Sequence, residues 1–226
     1  MVKSIVNAKP EPKILVCIPA YNESKNVVEI INRSKKYADG IIVYDDGSTD
    51  NTSELAKTAG ATVIKSPKNT GYGTAIRALF QAAKDQNADI MVTLDSDGQH
   101  DPDHIPRLVE PLLTQNFDIV IGSRFLSKDD KEKIPRYRSF GIKTITRLTQ
   151  SASYSGLTDS QSGFRAYNKN ALSKINLFED GMAVSTEILL RDREKNLLAT
   201  EVPITVNYKN YDTSTHNPIT FRTAIP

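Results

Sequence analysis

A single cysteine, Cys17, stands among the 226 residues, which excludes an intrachain disulfide framework. Its apolar setting in residues 14–18 marks a buried structural thiol rather than a nucleophile, and a reducing compartment fits. Long apolar runs are missing too. No stretch approaches the roughly 18–20 residues that span a bilayer, and the N-terminus has no apolar signal core, so the chain reads as a cytoplasmic protein that does not cross the membrane. Charge of one sign is scarce: a net +2 excludes whole-chain attraction to a polyanion, and nucleic acid is not an expected partner. There is no internal repeat and no low-complexity stretch. A chain of this length can bury one sizeable core, so one domain is expected.

Charge is present, but it is sorted. Residues 85–118 hold eight acidic side chains and one basic, whereas residues 128–147 hold seven basic and three acidic. An acidic segment suited to a cation is thus followed by a basic one suited to phosphates or an anionic membrane surface, although solvated faces can cluster in the same way.

Strand-like and helix-like segments alternate along most of the chain. Residues 1–13, with Pro10 and Pro12, read as a flexible lead-in, and residues 14–18 as a buried parallel strand ending at Pro19. Ser24 can cap a helix through about Tyr37, and Asp50 or Thr52 can start one to Ala59, stopped by Gly60. Strands at 41–44, 62–65, 90–94 and 119–121 and helices at 73–86 and 105–115 continue the pattern. Strand, helix, strand at this spacing means right-handed crossovers and an α/β sheet with helices on both faces. After Gly122 the order loosens. Residues 126–138 read as a mobile loop, 139–153 as a helix, 159–167 as loop and short strand, and 182–195 as a helix. Val202, Ile204, Val206 and Tyr208 alternate as a half-exposed strand should. The domain therefore spans 14–208, with 209–226 a tail.

In such a sheet ligands sit beyond the carboxyl ends of the strands. Three of those ends carry chemistry. An apolar run delivers Asp95-Ser96-Asp97-Gly98-Gln99-His100, two carboxylates one residue apart, which suits a hard cation such as Mg²⁺ or Mn²⁺ completed by substrate phosphates. Pro19-Ala20-Tyr21-Asn22-Glu23 offers a ring to pack on a ligand, and in Asp45-Asp46-Gly47-Ser48-Thr49-Asp50 both Asp45 and Asp46 can accept hydrogen bonds from a base or ribose. Each loop alone is also ordinary turn chemistry; their joint placement is the stronger signal.

These stretches, with Asn69-Thr70-Gly71-Tyr72-Gly73, Gly122-Ser123-Arg124 and Asp159-Ser160-Gln161-Ser162-Gly163-Phe164-Arg165, closely resemble the family-2 glycosyltransferases, specifically the branch of dolichyl-phosphate mannose synthases and related polyprenyl-phosphate hexose synthases. The resemblance implies a GT-A fold, Rossmann-like with a mostly parallel mixed sheet. It also implies an inverting transfer from GDP-mannose or UDP-glucose to a polyprenyl or dolichyl phosphate at the cytosolic face of a membrane. By that comparison Pro19, Ala20, Tyr21, Asn22, Glu23 and Asp46 bind the nucleoside, with Ser96 in the neighbouring loop. Asp95, Asp97 and Gln99 hold the metal, and Arg124 and Arg165 face the acceptor and donor phosphates. Many relatives continue into membrane-spanning helices beyond an element like Ser214-Thr215-His216-Asn217-Pro218.

The chemistry narrows the acceptor. Breaking a sugar–phosphate bond leaves a nucleoside diphosphate whose charge must be stabilised, and a divalent ion on Asp97 would do so. An alcohol acceptor needs a base, whereas a phosphate already carries its charge and needs cations to position it. Arg124, Arg136, Arg138 and Arg165 have the forked geometry for that. Arg136 and Arg138 would close as part of a lid over a loaded site. Glu187 separates the readings: by the same resemblance it is the base if the acceptor is a sugar or protein hydroxyl, and it is a first-turn carboxylate with a positional role if the acceptor is a phosphate. A catalytically silent nucleotide-sugar-binding protein is the remaining alternative. Of the three histidines, His100 neighbours the metal loop by resemblance, His104 starts a helix and His216 lies in the tail.

Overall fold

A computed structural model describes residues 11–126 and 157–206. The expected lid at 126–138, the helix at 139–153, Arg136 and Arg138, the lead-in up to residue 10 and the tail from 207 lie outside the described residues, Leu126 at the lid's start excepted. Seven strands form one sheet: β1 (Ile14–Ala20), β2 (Gly40–Asp45), β3 (Thr62–Lys65), β4 (Ile90–Thr93), β5 (Ile119–Ser123), β6 (Arg165–Asn168) and β7 (Ala199–Pro203), in the spatial order β3-β2-β1-β4-β6-β5-β7. All neighbours are parallel except β6, which runs against both β4 and β5. Antiparallel β6 brings the Asp159–Arg165 motif between the ends of β4 and β5.

Alternation along the strands divides the core in two. Leu15 and Cys17 of β1 join Ile42 and Met91 on one face, under α3 (Tyr72–Asp85), α5 (Lys169–Lys174) and α6 (Val184–Glu194). Val16 and Ile18 join Val43 and Val92 on the other, under α1 (Val27–Ser34), α2 (Thr52–Thr58) and α4 (Ile105–Thr114). Both faces are covered, so the central strands read as continuous apolar runs. Cys17 is fully buried in this core, and burial pushes its thiol pKa up, as befits a structural side chain.

Two local expectations are corrected. Ser24 does not cap α1, whose N-cap is Asn26. The Ser24 N–H instead donates to Asp50, one of several bonds that staple the β1 loop to the β2 loop and the start of α2, among them Asn22 N–H to Ser48 Oγ and Glu23 N–H to Thr52 Oγ1. The last strand among the described residues begins upstream of the alternating Val202–Tyr208 pattern and overlaps only its start, because Ala199 to Pro203 pair in parallel with Ile119 to Ser123. Ile204 and Val206 remain buried, and Val206 bridges to His100.

Candidate functional site

The β1, β2 and β4 loops meet at one end of the sheet around a cavity of about 270 Å³. Pro19, Ala20, Tyr21, Glu23, Asp46, Asp95, Ser96 and Asp97 line it, with Asn69, Tyr72, Gln161, Met182 and Ser185 among the other wall residues. Ser96 ties the β4 loop to the end of β1 through a 2.8 Å bond to the Pro19 carbonyl. Tyr21 stands 42% exposed at the rim, an apolar ring available for stacking.

The acidic residues have distinct tasks. Asp45 is fully buried and accepts from Ser48 N–H and Ser53 Oγ. It builds its own turn, so the expectation that it meets a base or ribose is corrected. Asp46 lines the cavity, but its two oxygens also accept from Thr70 N–H, Thr70 Oγ1 and Gly71 N–H at 2.6–2.8 Å. This carboxylate folds the Asn69–Tyr72 turn against the site. Asn22 holds Thr49 through its side-chain oxygen and does not line the cavity.

Asp95 and Asp97 form the metal-binding candidate. Tyr72 Oη donates to Asp95 Oδ1 at 3.1 Å, and His100 Nδ1 lies 3.6 Å from Asp95 Oδ2. Gly163 packs beneath the same carboxylate so closely that an added Cβ would sit 2.4 Å from Oδ2, which explains a glycine there. Asp97 Oδ1 accepts from the Gln99 N–H at 2.9 Å. Gln99 lines a smaller neighbouring cavity, with Arg33 and Asp101, rather than the large one. His100 is buried, and that burial drives its pKa down to about 4 against the opposing pull of Asp97, so the ring is neutral at pH 7.

The donor set fits a hard cation. Among the described residues no three His, Cys, Asp or Glu side chains converge on one point, so a metal held by Asp95 and Asp97 would draw most of its shell from phosphate oxygens and water, as Mg²⁺ and Mn²⁺ sites beside diphosphates do.

The two arginines differ. Arg124, at the end of β5, pairs with the fully buried Asp159 through Nε at 2.6 Å and Nη2 at 2.7 Å. Arg165 is 2% exposed, and its guanidinium donates to the carbonyls of Ser160, Ser162 and Ser185. The expectation that Arg165 faces a phosphate is corrected: it ties the 159–163 loop and the first turn of α6 to the sheet. Glu187 lies on α6 outside the cavity lining, and its carboxylate accepts from the N–H groups of Phe178 and Glu179 at 3.0–3.1 Å. That loop is also fastened to α3, where Gly73 N–H donates to the Asp180 carbonyl at 2.8 Å and a Cβ would not fit.

Sequence reading missed Asp192, on the inner face of α6. It is fully buried, neither oxygen has a hydrogen-bond partner among the described residues, and burial raises its carboxyl from 3.8 to about 7 despite nearby Arg165. Between those values the native protein binds the proton and the unfolded chain does not, so the stability contributed by this group falls as pH rises through that window. Asp192→Asn is therefore expected to gain on the wild type by about 2–3 kcal/mol between pH 5 and pH 8. Urea unfolding of both proteins at pH 5, 6.5 and 8 checks this, and parallel curves would refute it.

The chain is 32% identical over 218 residues to the UDP-N-acetylglucosamine–dolichyl-phosphate N-acetylglucosaminyltransferase of Methanococcus voltae, covering 88% of this chain and 87% of that protein. It is 32% identical over 203 residues to the dolichol-phosphate mannosyltransferase of Pyrococcus furiosus, covering 85% of this chain and 56% of that one. Glucosyl-3-phosphoglycerate synthase from Mycobacterium tuberculosis, solved with Mn²⁺, UDP and phosphoglyceric acid, superposes with a TM-score of 0.70 at 23% identity over 90% of this chain and 72% of that one, which establishes the shared GT-A fold. With residues 15–175 matching the model of glycosyl transferase family 2, the chain belongs to that family.

Proposed function

We propose that this protein transfers a hexose from a nucleoside-diphosphate sugar to the phosphate of a polyprenyl phosphate. One observation carries the choice of acceptor. The Glu187 carboxylate, the candidate base for a hydroxyl acceptor, is 9% exposed, engaged by two backbone N–H groups, and 3.7 Å from Arg191. A carboxylate so occupied is poorly placed to take a proton from a substrate. A phosphate acceptor needs no base. Its anionic oxygen forms a bond to the anomeric carbon as the bond from that carbon to the diphosphate breaks, and the nucleoside diphosphate leaves with inversion.

The residues divide the work. Pro19, Ala20, Tyr21, Glu23 and Asp46 would bind the nucleoside, with Tyr21 against the base. Asp95 and Asp97, the latter oriented by the Gln99 backbone N–H, would hold Mg²⁺ or Mn²⁺, which when bound supplies positive charge next to the leaving diphosphate. Arg124 orients the acceptor phosphate, helped by Arg136 and Arg138. The names of the relatives support a lipid-linked acceptor, and the proposed donor is a nucleotide sugar such as GDP-mannose or UDP-glucose. Among the described residues no helix is long and apolar enough to cross a membrane, and the lipid acceptor would bring the protein to the cytosolic membrane surface through the basic segment.

The test is a transfer assay with Mg²⁺ or Mn²⁺, a panel of nucleotide sugars, short polyprenyl phosphates and the corresponding polyprenols. A lipid-linked hexose from the phosphates alone is the expected product. Equal transfer to the free alcohols would overturn the reading.

A further inference from the structure

Arg124 is held by a chain of contacts that begins on β7, the edge strand paired with β5. Its guanidinium is gripped by both oxygens of Asp159, and Asp159 Oδ2 also accepts from the Arg124 backbone N–H at 3.2 Å. The loop that presents Asp159 is in turn bound by Glu201 of β7, 42 residues further on. Glu201 Oε1 accepts the Asp159 N–H at 2.8 Å, and Oε2 accepts the Thr158 N–H at 2.8 Å and the Thr158 hydroxyl at 2.7 Å. The same hydroxyl lies 2.6 Å from Ser123 Oγ, adjacent to Arg124. Three bonds to one carboxylate thus fix the backbone from which Asp159 reaches, and two more fix the guanidinium.

We propose that Glu201 is a positioning residue for Arg124: by anchoring Thr158 and Asp159 it sets the plane of the guanidinium that receives the acceptor phosphate. A fork that recognises phosphate is useful only in a fixed orientation, because bidentate bonds demand coplanarity. Arg165 fastens the loop only from Ser160 onward; Glu201 is what fastens Thr158 and Asp159 themselves, the residues next to the guanidinium. Partial burial raises the Glu201 pKa while the Thr158 and Asp159 donors act against that rise. Nothing in Ala199–Pro203 resembles a motif, so only the strand order exposes the role. The consequence for transfer rests on the acceptor-phosphate role given to Arg124 above; the positioning itself does not.

The experiment reads both separately. In ¹⁵N-arginine-labelled full-length protein, the Arg124 Nε–H, assigned by its loss in Arg124→Lys, is expected to be protected from exchange in the wild type and to lose most of that protection in Glu201→Ala. Glu201→Gln, which keeps the shape and one acceptor oxygen, should retain part of it and serves if the alanine variant folds poorly. In parallel, Glu201→Ala should lower kcat/KM for the polyprenyl phosphate about tenfold while leaving nucleotide affinity within about twofold, and should cost nothing more in an Arg124→Ala background. Unchanged Nε–H protection in both Glu201 variants would overturn the proposal, as would additive losses in the double variant. Lost protection with acceptor kinetics untouched by either Glu201→Ala or Arg124→Ala would uphold the positioning and reject the phosphate role of Arg124.

Discussion

Asp97→Ala is expected to lower hexose transfer by about a thousandfold, some 4 kcal/mol of transition-state stabilisation, the scale on which preorganised charge at a developing anion acts. The loss should come without unfolding. The Asp97 side chain accepts from the nearby Gln99 N–H, and the contact to Asn26 uses the Asp97 backbone carbonyl, so the core on either side of the sheet is untouched. Excess chelator should silence the wild type to the same degree. Transfer rates with and without Mg²⁺ or Mn²⁺, set beside thermal midpoints, provide the check. Full activity in chelator would remove the metal from the mechanism and leave Asp97 a turn residue.

The arginines give the second large effect, and the structure splits them. Arg124→Ala should reduce kcat/KM for the lipid phosphate about a hundredfold, since removing one partner of a charge-assisted pair costs a few kcal/mol. It also deprives the buried Asp159 of its bidentate partner, so Arg124→Lys, which keeps the charge but not the fork, is the companion variant. Arg165→Ala should instead fail in the fold: three carbonyls lose a buried donor at once, at about 1–3 kcal/mol for each group left unsatisfied. Glu187→Gln should lower the thermal midpoint by loosening residues 178–179 and slow transfer less than Arg124→Ala. A Glu187→Gln protein dead for transfer, yet normal in nucleotide binding and in melting, would point to a hydroxyl acceptor. Activity and urea midpoints of the four variants, measured together, decide the assignment.

The alternating strands and helices, the buried apolar runs of β1, β2 and β4, and the chemistry of the loops at their ends were legible in the chain because they are local facts. A run such as Leu15 to Ile18 is buried on both faces, and Asp95 and Asp97 reach the cavity because a strand ends just before them. Pairing partners far apart in sequence were not legible. The side chains of Arg124 and Arg165 are chemically the same, and both stand in motifs that resemble phosphate-binding ones; only the tertiary structure sets one against Asp159 and buries the other among carbonyls. Asp45 and Asp46 are adjacent and equivalent on paper, yet strand alternation buries the first in its own turn and turns the second to the cavity. Glu201 lies in an undistinguished strand and gains its task from the parallel pairing of β7 with β5. Periodicity and local polarity determined which segments would bury and which ends would carry chemistry. Which donor each charged side chain would meet was decided by the order of the strands, since a hydrogen bond depends on distances that a linear spacing does not contain.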